Sequence, residues 1–281
     1  MEFDRIYAEV DLGRIEENMK AMKEHLRPGT KMYGVVKTDA YGHGAVPVAR
    51  TIDRFVCGYA VATVDEGLKL RRHGIEKEIL CLGPVSAGRY QECLENDISL
   101  PMFEYRRAKE LSDAAVAEGK TAKIHIAVDT GMSRIGLFPD EGSVETVKEI
   151  AELPALRIAG MFTHFARADE ADKTKAGEQY RRFHAFCDAV KAAGVEVPVC
   201  HCSNSAGIVE LPDFNMDAVR AGITIYGLYP SDEVKQDIIS LKPAMALKSV
   251  LLPAPFEPTM VANSPSASVS DRSHRARFSF T

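Results

Sequence analysis

The chain has 281 residues, a net charge of −5 with both signs interspersed, and six cysteines. No basic stripe marks it for nucleic acid, no unbroken apolar run approaches the length of a membrane span, and no apolar leader opens it. One large domain or two small ones fit this length without disulfides; Cys57, Cys81, Cys93, Cys187, Cys200 and Cys202 lie mostly in apolar runs with no Cys-x-x-Cys pair, and read as reduced core residues of a cytoplasmic protein.

In chain order, Tyr7 to Val10 is a short strand candidate, and Asp11 an N-cap for a helix running to about Leu26 and closed by Pro28-Gly29. Strand-like runs follow at 31–37, 57–63, 78–82, 98–102, 123–129, 157–164, 199–203 and 218–220. Helical stretches at 45–54, 65–73, 87–95, 104–118, 143–152 and 175–193 separate most of them. Eight strands alternating with helices predict an α/β fold, a parallel sheet with right-handed crossovers closed into a (β/α)8 barrel. A doubly wound open sheet is the alternative; it needs fewer strands and a glycine-rich phosphate turn, and no Gly-x-Gly-x-x-Gly follows the first strand.

The run from Met32 to Val36 ends in Lys37 and breaks at Gly42 and Gly44. A lysine at the carboxyl end of a buried strand sits where ligands bind in a barrel, and burial, by disfavouring the ammonium, makes it a nucleophile or Schiff-base former. On spacing alone it is equally a surface lysine before a turn. Other strand ends carry Tyr41, the segment 129–134, His164, then His201 with Asn204 and Ser205, and finally Arg220 with Gly222. In a barrel these converge on one face. Asn204 and Ser205 are either helix caps or donors to an anion at a helix N-terminus, and Gly222 allows an anion close to the backbone. A phosphate held after the seventh and eighth strands, facing a strand-end lysine, suggests pyridoxal 5′-phosphate. His201 between Cys200 and Cys202 is no metal site, because strand alternation puts the thiols on one face and the imidazole on the other.

Five segments carry a resemblance: Lys37-Thr-Asp-Ala-Tyr41-Gly-His-Gly44, Val128-Asp-Thr-Gly-Met-Ser-Arg134-Ile-Gly136, Phe162-Thr-His164-Phe, His201-Cys-Ser-Asn204-Ser205-Ala and Val219-Arg220-Ala-Gly222-Ile-Thr-Ile-Tyr226-Gly-Leu. From about Tyr7 to Ser249 the chain resembles the alanine racemase family. The resemblance implies a pyridoxal 5′-phosphate-dependent isomerase that interconverts L- and D-alanine and supplies D-alanine for peptidoglycan. It implies that Lys37 carries the cofactor and is the base on one face of the substrate α-carbon. Tyr41, Ser205, Gly222 and Ile223, with Asn204 beside them, would hold the phosphate. His164 would lie against the ring, Arg134 would reach the ring hydroxyl and the substrate carboxylate, and Arg220 would face the pyridine nitrogen with His201 supporting it from behind. The family's modified lysine, two residues before Asp-Thr-Gly, is here Ala127.

The family also has a second, β-rich domain that donates a tyrosine to the partner subunit of a homodimer. Residues 1–249 read as the cofactor-binding barrel domain, with the strand near 7–10 belonging to that second domain. From about Leu251 the sequence turns proline- and serine-rich, without periodicity or tyrosine, so 250–281 reads as a disordered, low-complexity tail. A shifted reading frame produces such a switch. The expectation is therefore a C-terminally truncated racemase, weak or inactive for want of the opposite-face base. The alternatives are a single-domain protein that binds and buffers pyridoxal 5′-phosphate, and a racemase for another small amino acid such as serine.

Overall fold

The computed structural model describes residues 6–249 and 275–279, with side chains described from 7 to 248. Eight parallel strands close a barrel in chain order: β2 (Lys31–Val35), β3 (Gly58–Val61), β4 (Glu78–Cys81), β5 (Ile98–Met102), β6 (Ala122–Ala127), β7 (Leu156–Phe162), β8 (Cys200–His201) and β9 (Ala218–Ala221). β9 returns to β2 with Tyr33 opposite Arg220, which completes the ring of hydrogen bonds. The (β/α)8 barrel expected from the alternation is therefore the fold.

Five strands, β2, β3, β6, β7 and β8, stop short of the ends expected from sequence, and two of these bear on the site. β2 stops at Val35 rather than at Lys37, because the chain turns left-handed just beyond it. β8 stops at His201, since the Cys202 carbonyl is taken by the Arg220 guanidinium (3.1 Å) instead of a neighbouring strand.

Outside the barrel, β1 (Ile6–Asp11) pairs antiparallel with β10 (Met245–Ser249) and with β11 (Arg275–Ser279), forming a separate three-stranded sheet. β11 falls within the stretch expected to be disordered; the rest of that stretch lies outside the described residues. Asp11 caps the helix Leu12–His25 as its position predicted, its carboxylate accepting from the N–H groups of Gly13 and Arg14. That helix buries Ile15, Met19 and Met22 against the barrel's outer layer. Its buried Asn18 spans the junction, donating to the carbonyls of Ile225 and Lys242 and accepting from the Lys242 N–H. No helix among the described residues is long and apolar enough to cross a membrane.

Barrel interiors are usually filled by layers of Val, Ile and Leu. This one buries Ser99, His125, His201 and Arg220. A bulge in β7 sets Gly160 opposite His125, where a Cβ would come within 2.6 Å of the imidazole, so only glycine leaves room for that ring.

Candidate active site

A cavity of about 740 Å³ opens at the C-terminal end of the barrel strands. Of the ten residues singled out from sequence, Lys37, Tyr41, Arg134, His164, Asn204, Ser205, Arg220, Gly222 and Ile223 line it. His201 lies below the cavity floor, fully buried and hydrogen-bonded to Arg220. Among the lining side chains the cations Lys37, Arg134 and Arg220 face one carboxylate, Asp169. Such an imbalance in a partly enclosed space favours an anionic ligand.

Lys37 is half-buried rather than enclosed in a strand, and residues 38–41 after it form a left-handed turn with φ of 54°, 49°, 56° and 53°. Each non-glycine residue in this conformation costs roughly 1–2 kcal/mol, so the turn persists only because its surroundings determine it. Glu66 supplies one clamp. Its Oε1 accepts the Thr38 N–H (2.7 Å), while Oε2 accepts the N–H groups of Ala62 and Thr63 at the start of the helix Val64–Arg72. Asp39 supplies another, accepting from the Ala45 N–H (2.9 Å) and from Lys69 (2.7 Å). Partial burial opposes ionisation of Asp39, but these two donors hold its carboxyl below the ordinary value. Tyr226 closes the back: its hydroxyl donates to the Val35 carbonyl and its ring packs on Tyr41 and His43. The outcome is a lysine whose Nζ lies 5.8 Å from the Tyr41 ring centroid, with no hydrogen-bond or ion-pair partner among the described residues.

Across the cavity, the Ser205 hydroxyl oxygen receives the Gly222 N–H (3.0 Å), the Thr224 hydroxyl (3.0 Å) and, more weakly, the Thr224 N–H (3.4 Å). With its lone pairs committed, Ser205 has its own O–H left to donate. A Cβ on Gly222 would sit 3.5 Å from both Ser205 Oγ and Tyr41 Oη, so glycine here leaves a small hollow between two hydroxyls. Ile223 opens the 310 turn Ile223–Tyr226, a position whose N–H no carbonyl of the same turn can satisfy. These groups fit a phosphate. Asn204 caps the short helix Ser205–Glu210, its Oδ1 accepting from Gly207 N–H, so the capping alternative accounts for that atom.

Arg220 is buried and makes five side-chain bonds. Nη1 donates to His201 Nδ1 (2.9 Å) and the His201 carbonyl, and Nη2 to the carbonyls of Thr163 and Cys202 and to His164 Nδ1 (3.2 Å). No acceptor among the described residues meets its Nε–H, the one donor left for a ligand. Burial lowers Arg220 to about 10, which leaves it cationic at neutral pH. His164 is pushed down to about 3 by burial and by the charges of Arg220, Arg134 and Lys37, and burial beside Arg220 takes His201 well below 6.5. Arg134, exposed at the rim, has no ion-pair or hydrogen-bond partner among the described residues, and the position two before Asp129 is the buried Ala127.

These shifts make an acid-lability prediction. An unfolded chain takes up protons at His164 and His201 as pH falls below about 6.5, whereas the folded chain resists until far lower, about 3 for His164. Stability is therefore full above that range and falls on acidification, by up to about 1.4 kcal/mol per pH unit for each imidazole. Urea denaturation at pH 7.5 and 5 checks it; equal midpoints would contradict the neutral, buried assignment.

Sequence reading missed the groups beneath the floor. Tyr33, Glu78, Ser99 and His125 carry no strand-end signal, and the one local hint is His125 standing between Ile124 and Ile126.

The fold and its cavity define a class: (β/α)8 barrels whose cationic C-terminal opening faces a lysine. Comparison with known proteins narrows it. Residues 10–230 match the family described as alanine racemase, N-terminal domain. The alanine racemase of Clostridium novyi is 45% identical over 245 residues, covering 87% of this chain and 63% of that protein. That of Clostridium tetani is 39% identical over 248 residues, covering 88% and 64%. Among solved structures, alanine racemase from Clostridium difficile 630 superposes with a TM-score of 0.86 at 39% identity, covering 88% of this chain and 65% of that one. The chain belongs to the alanine racemase family. It spans about two thirds of the length of those relatives.

Proposed function

We propose that this chain provides the cofactor-bearing barrel of a pyridoxal 5′-phosphate-dependent alanine racemase. The observation that carries the reading is the placing of Lys37, which has no hydrogen-bond or ion-pair partner among the described residues, across one cationic cavity from the Tyr41 and Ser205 hydroxyls and the start of the Ile223 turn. Family membership supports it, and a Bacillus anthracis alanine racemase 37% identical to this chain was solved with bound L-Ala-P. When bound, the cofactor supplies an aldehyde for the lysine amine and an electron-withdrawing ring that acidifies the substrate's α C–H.

The chain's own residues then have distinct tasks. Lys37 would hold the cofactor through its amine and would remove or return the substrate's α-proton on its own face. Tyr41 and Ser205 would donate hydroxyl hydrogens to the phosphate, Ile223 would offer its N–H, and Gly222, lacking a Cβ, would leave room for it. Arg220 would offer Nε–H to the ring nitrogen; a guanidinium donates without yielding its proton, so a ring held there would stay unprotonated and be a weak electron sink, favouring simple proton return over decarboxylation or transamination. His164, neutral, would lie against the ring, and Arg134 would take the substrate carboxylate and the ring hydroxyl.

Inversion at the α-carbon needs a second acid/base group on the opposite face. Tyr41 lies beside Lys37, so it does not meet that need. We assign the missing group to the part of the longer relatives that this chain does not span, and the sheet of β1, β10 and β11 to the start of that second unit. The purified chain, mass confirmed, should then yield a borohydride-reduced pyridoxyl adduct on the Lys37 peptide and racemise alanine slowly or not at all. A chain that keeps no cofactor absorbance once unbound cofactor is removed would overturn the binding reading; rapid racemisation would overturn the division of the two faces.

A further inference from the structure

Below the cavity floor a line of hydrogen bonds crosses the barrel interior. Arg220 Nη1 meets His201 Nδ1 at 2.9 Å, His201 Nε2 meets His125 Nδ1 at 3.1 Å, and His125 Nε2 meets Glu78 Oε1 at 3.1 Å. Glu78 also accepts from the hydroxyls of Ser99 and Tyr33, each at 2.8 Å. His201 is stacked between the rings of Tyr33 and Phe162.

The two ends of this line fix everything between them. A guanidinium has only donors, and an ionised carboxylate only acceptors. His201 Nδ1, facing Arg220, must accept, so its proton is on Nε2 and is given to His125 Nδ1. His125 in turn carries its proton on Nε2 and gives it to Glu78. A second proton on His125 would set its Nδ1–H against the His201 Nε2–H, so the 3.1 Å contact with Glu78 joins a neutral imidazole to a carboxylate, not two ions. Every bond points from Arg220 toward Glu78, and no step in the line can deliver a proton toward the cavity.

A line of this kind is expensive to bury. Half-satisfied polar networks are worse than an apolar core, and hydrophobic replacements for buried charged groups are often as stable or more so. Yet this barrel gives up part of its apolar filling for it and leaves room beside it: a Cβ on Gly160 would strike His125, and one on Gly58 would come within 2.9 Å of Tyr33.

We propose that Glu78 is a positioning residue for the active site, acting from beneath the barrel floor by fixing the tautomers of His125 and His201 and thereby the setting of the Arg220 guanidinium. The carboxylate never touches a ligand. By accepting at the far end it keeps His201 Nδ1 a bare acceptor, which holds Nη1 on the imidazole and leaves Nε–H as the donor for the cavity. This deepens, and rests on, the reading of Arg220 as the group facing the cofactor ring.

Histidine ring-nitrogen NMR on the cofactor-free, 15N-labelled full chain tests the line without any turnover. His125 and His201 should both be neutral with the proton on Nε2; a proton on Nδ1 of either ring in the wild type overturns the proposal before any variant is made. Glu78→Met, which has no acceptor to offer, should shift the tautomer of at least one of the two rings and weaken pyridoxal 5′-phosphate binding about tenfold or more, the worth of a hydrogen bond to a charged group. Glu78→Gln keeps an acceptor oxygen and should restore both readouts to within about threefold of wild type. Unchanged tautomers in Glu78→Met, or equal loss in the two variants, would overturn it. If the wild type shows the expected tautomers but binds no cofactor, the cofactor reading fails, and the Glu78 role with respect to that cofactor fails with it.

Discussion

Replacing Lys37 with alanine is expected to abolish covalent capture of pyridoxal 5′-phosphate while leaving the fold intact. The side chain is half-buried and has no hydrogen-bond or ion-pair partner among the described residues, so its loss orphans nothing. Surface-type truncations of this sort usually stay within about 0.5 kcal/mol. The chemistry has no such reserve, since another lysine would have to reach the same point, and those near the turn are committed: Lys69, for example, is paired with Asp39. Borohydride labelling followed by peptide mapping should fall from stoichiometric to background, and any racemisation should drop by more than about 10³-fold, as when a covalent catalyst is removed. An adduct of undiminished yield on a different lysine would refute the assignment. Lys37→Arg keeps the charge without a condensable amine and should fail in the same way.

Gly227→Ala carries the largest expected loss of stability. Gly227 ends the 310 turn that presents Ile223 to the cavity, with φ of +83°, and a Cβ there would lie 1.9 Å from the Lys242 carbonyl oxygen and 2.5 Å from the Pro243 nitrogen. Backbone at that distance has to move, but the Lys242 peptide is pinned on both sides by the buried Asn18 amide. Left-handed strain, overpacking and a disrupted buried hydrogen-bond pair act together, for about 4 kcal/mol or more. Gly29→Ala is the control. Gly29 has φ of +88° with nothing within 4 Å of the added methyl, so it should cost only the conformational part, roughly 1–2 kcal/mol. Chemical denaturation of both variants separates the two; comparable midpoints would mean that the Lys242 segment yields.

How much of this was readable beforehand depended on the range of the interaction. Short apolar runs bounded by glycine and polar residues located all eight barrel strands, and Asp11 announced its helix, because run length and capping are local properties of sequence. The cavity residues were legible for a related reason: glycines and polar groups stand just past strand ends, where a barrel gathers them. The turn after Lys37 was not. Of Thr-Asp-Ala-Tyr only Asp39 is of a type that tolerates a left-handed path, and the groups that hold it there, Glu66 and Lys69, lie on a later helix. The line from Arg220 to Glu78 was equally hidden. His125 and His201 are 76 positions apart, and only closure of the sheet brings their rings together.

The turn's dependence on that later helix limits how portable the lysine motif is. Moving the eight residues from Lys37 to Gly44 onto the corresponding strand of another barrel transfers the amine but not the restraint, since the Thr38 amide and the Asp39 carboxylate would find no Glu66 or Lys69 to meet. Without those two anchors a host scaffold would let the segment relax to a right-handed or extended course and swing the amine off target. A working graft must bring the first turns of Val64–Arg72 along with it, as one unit.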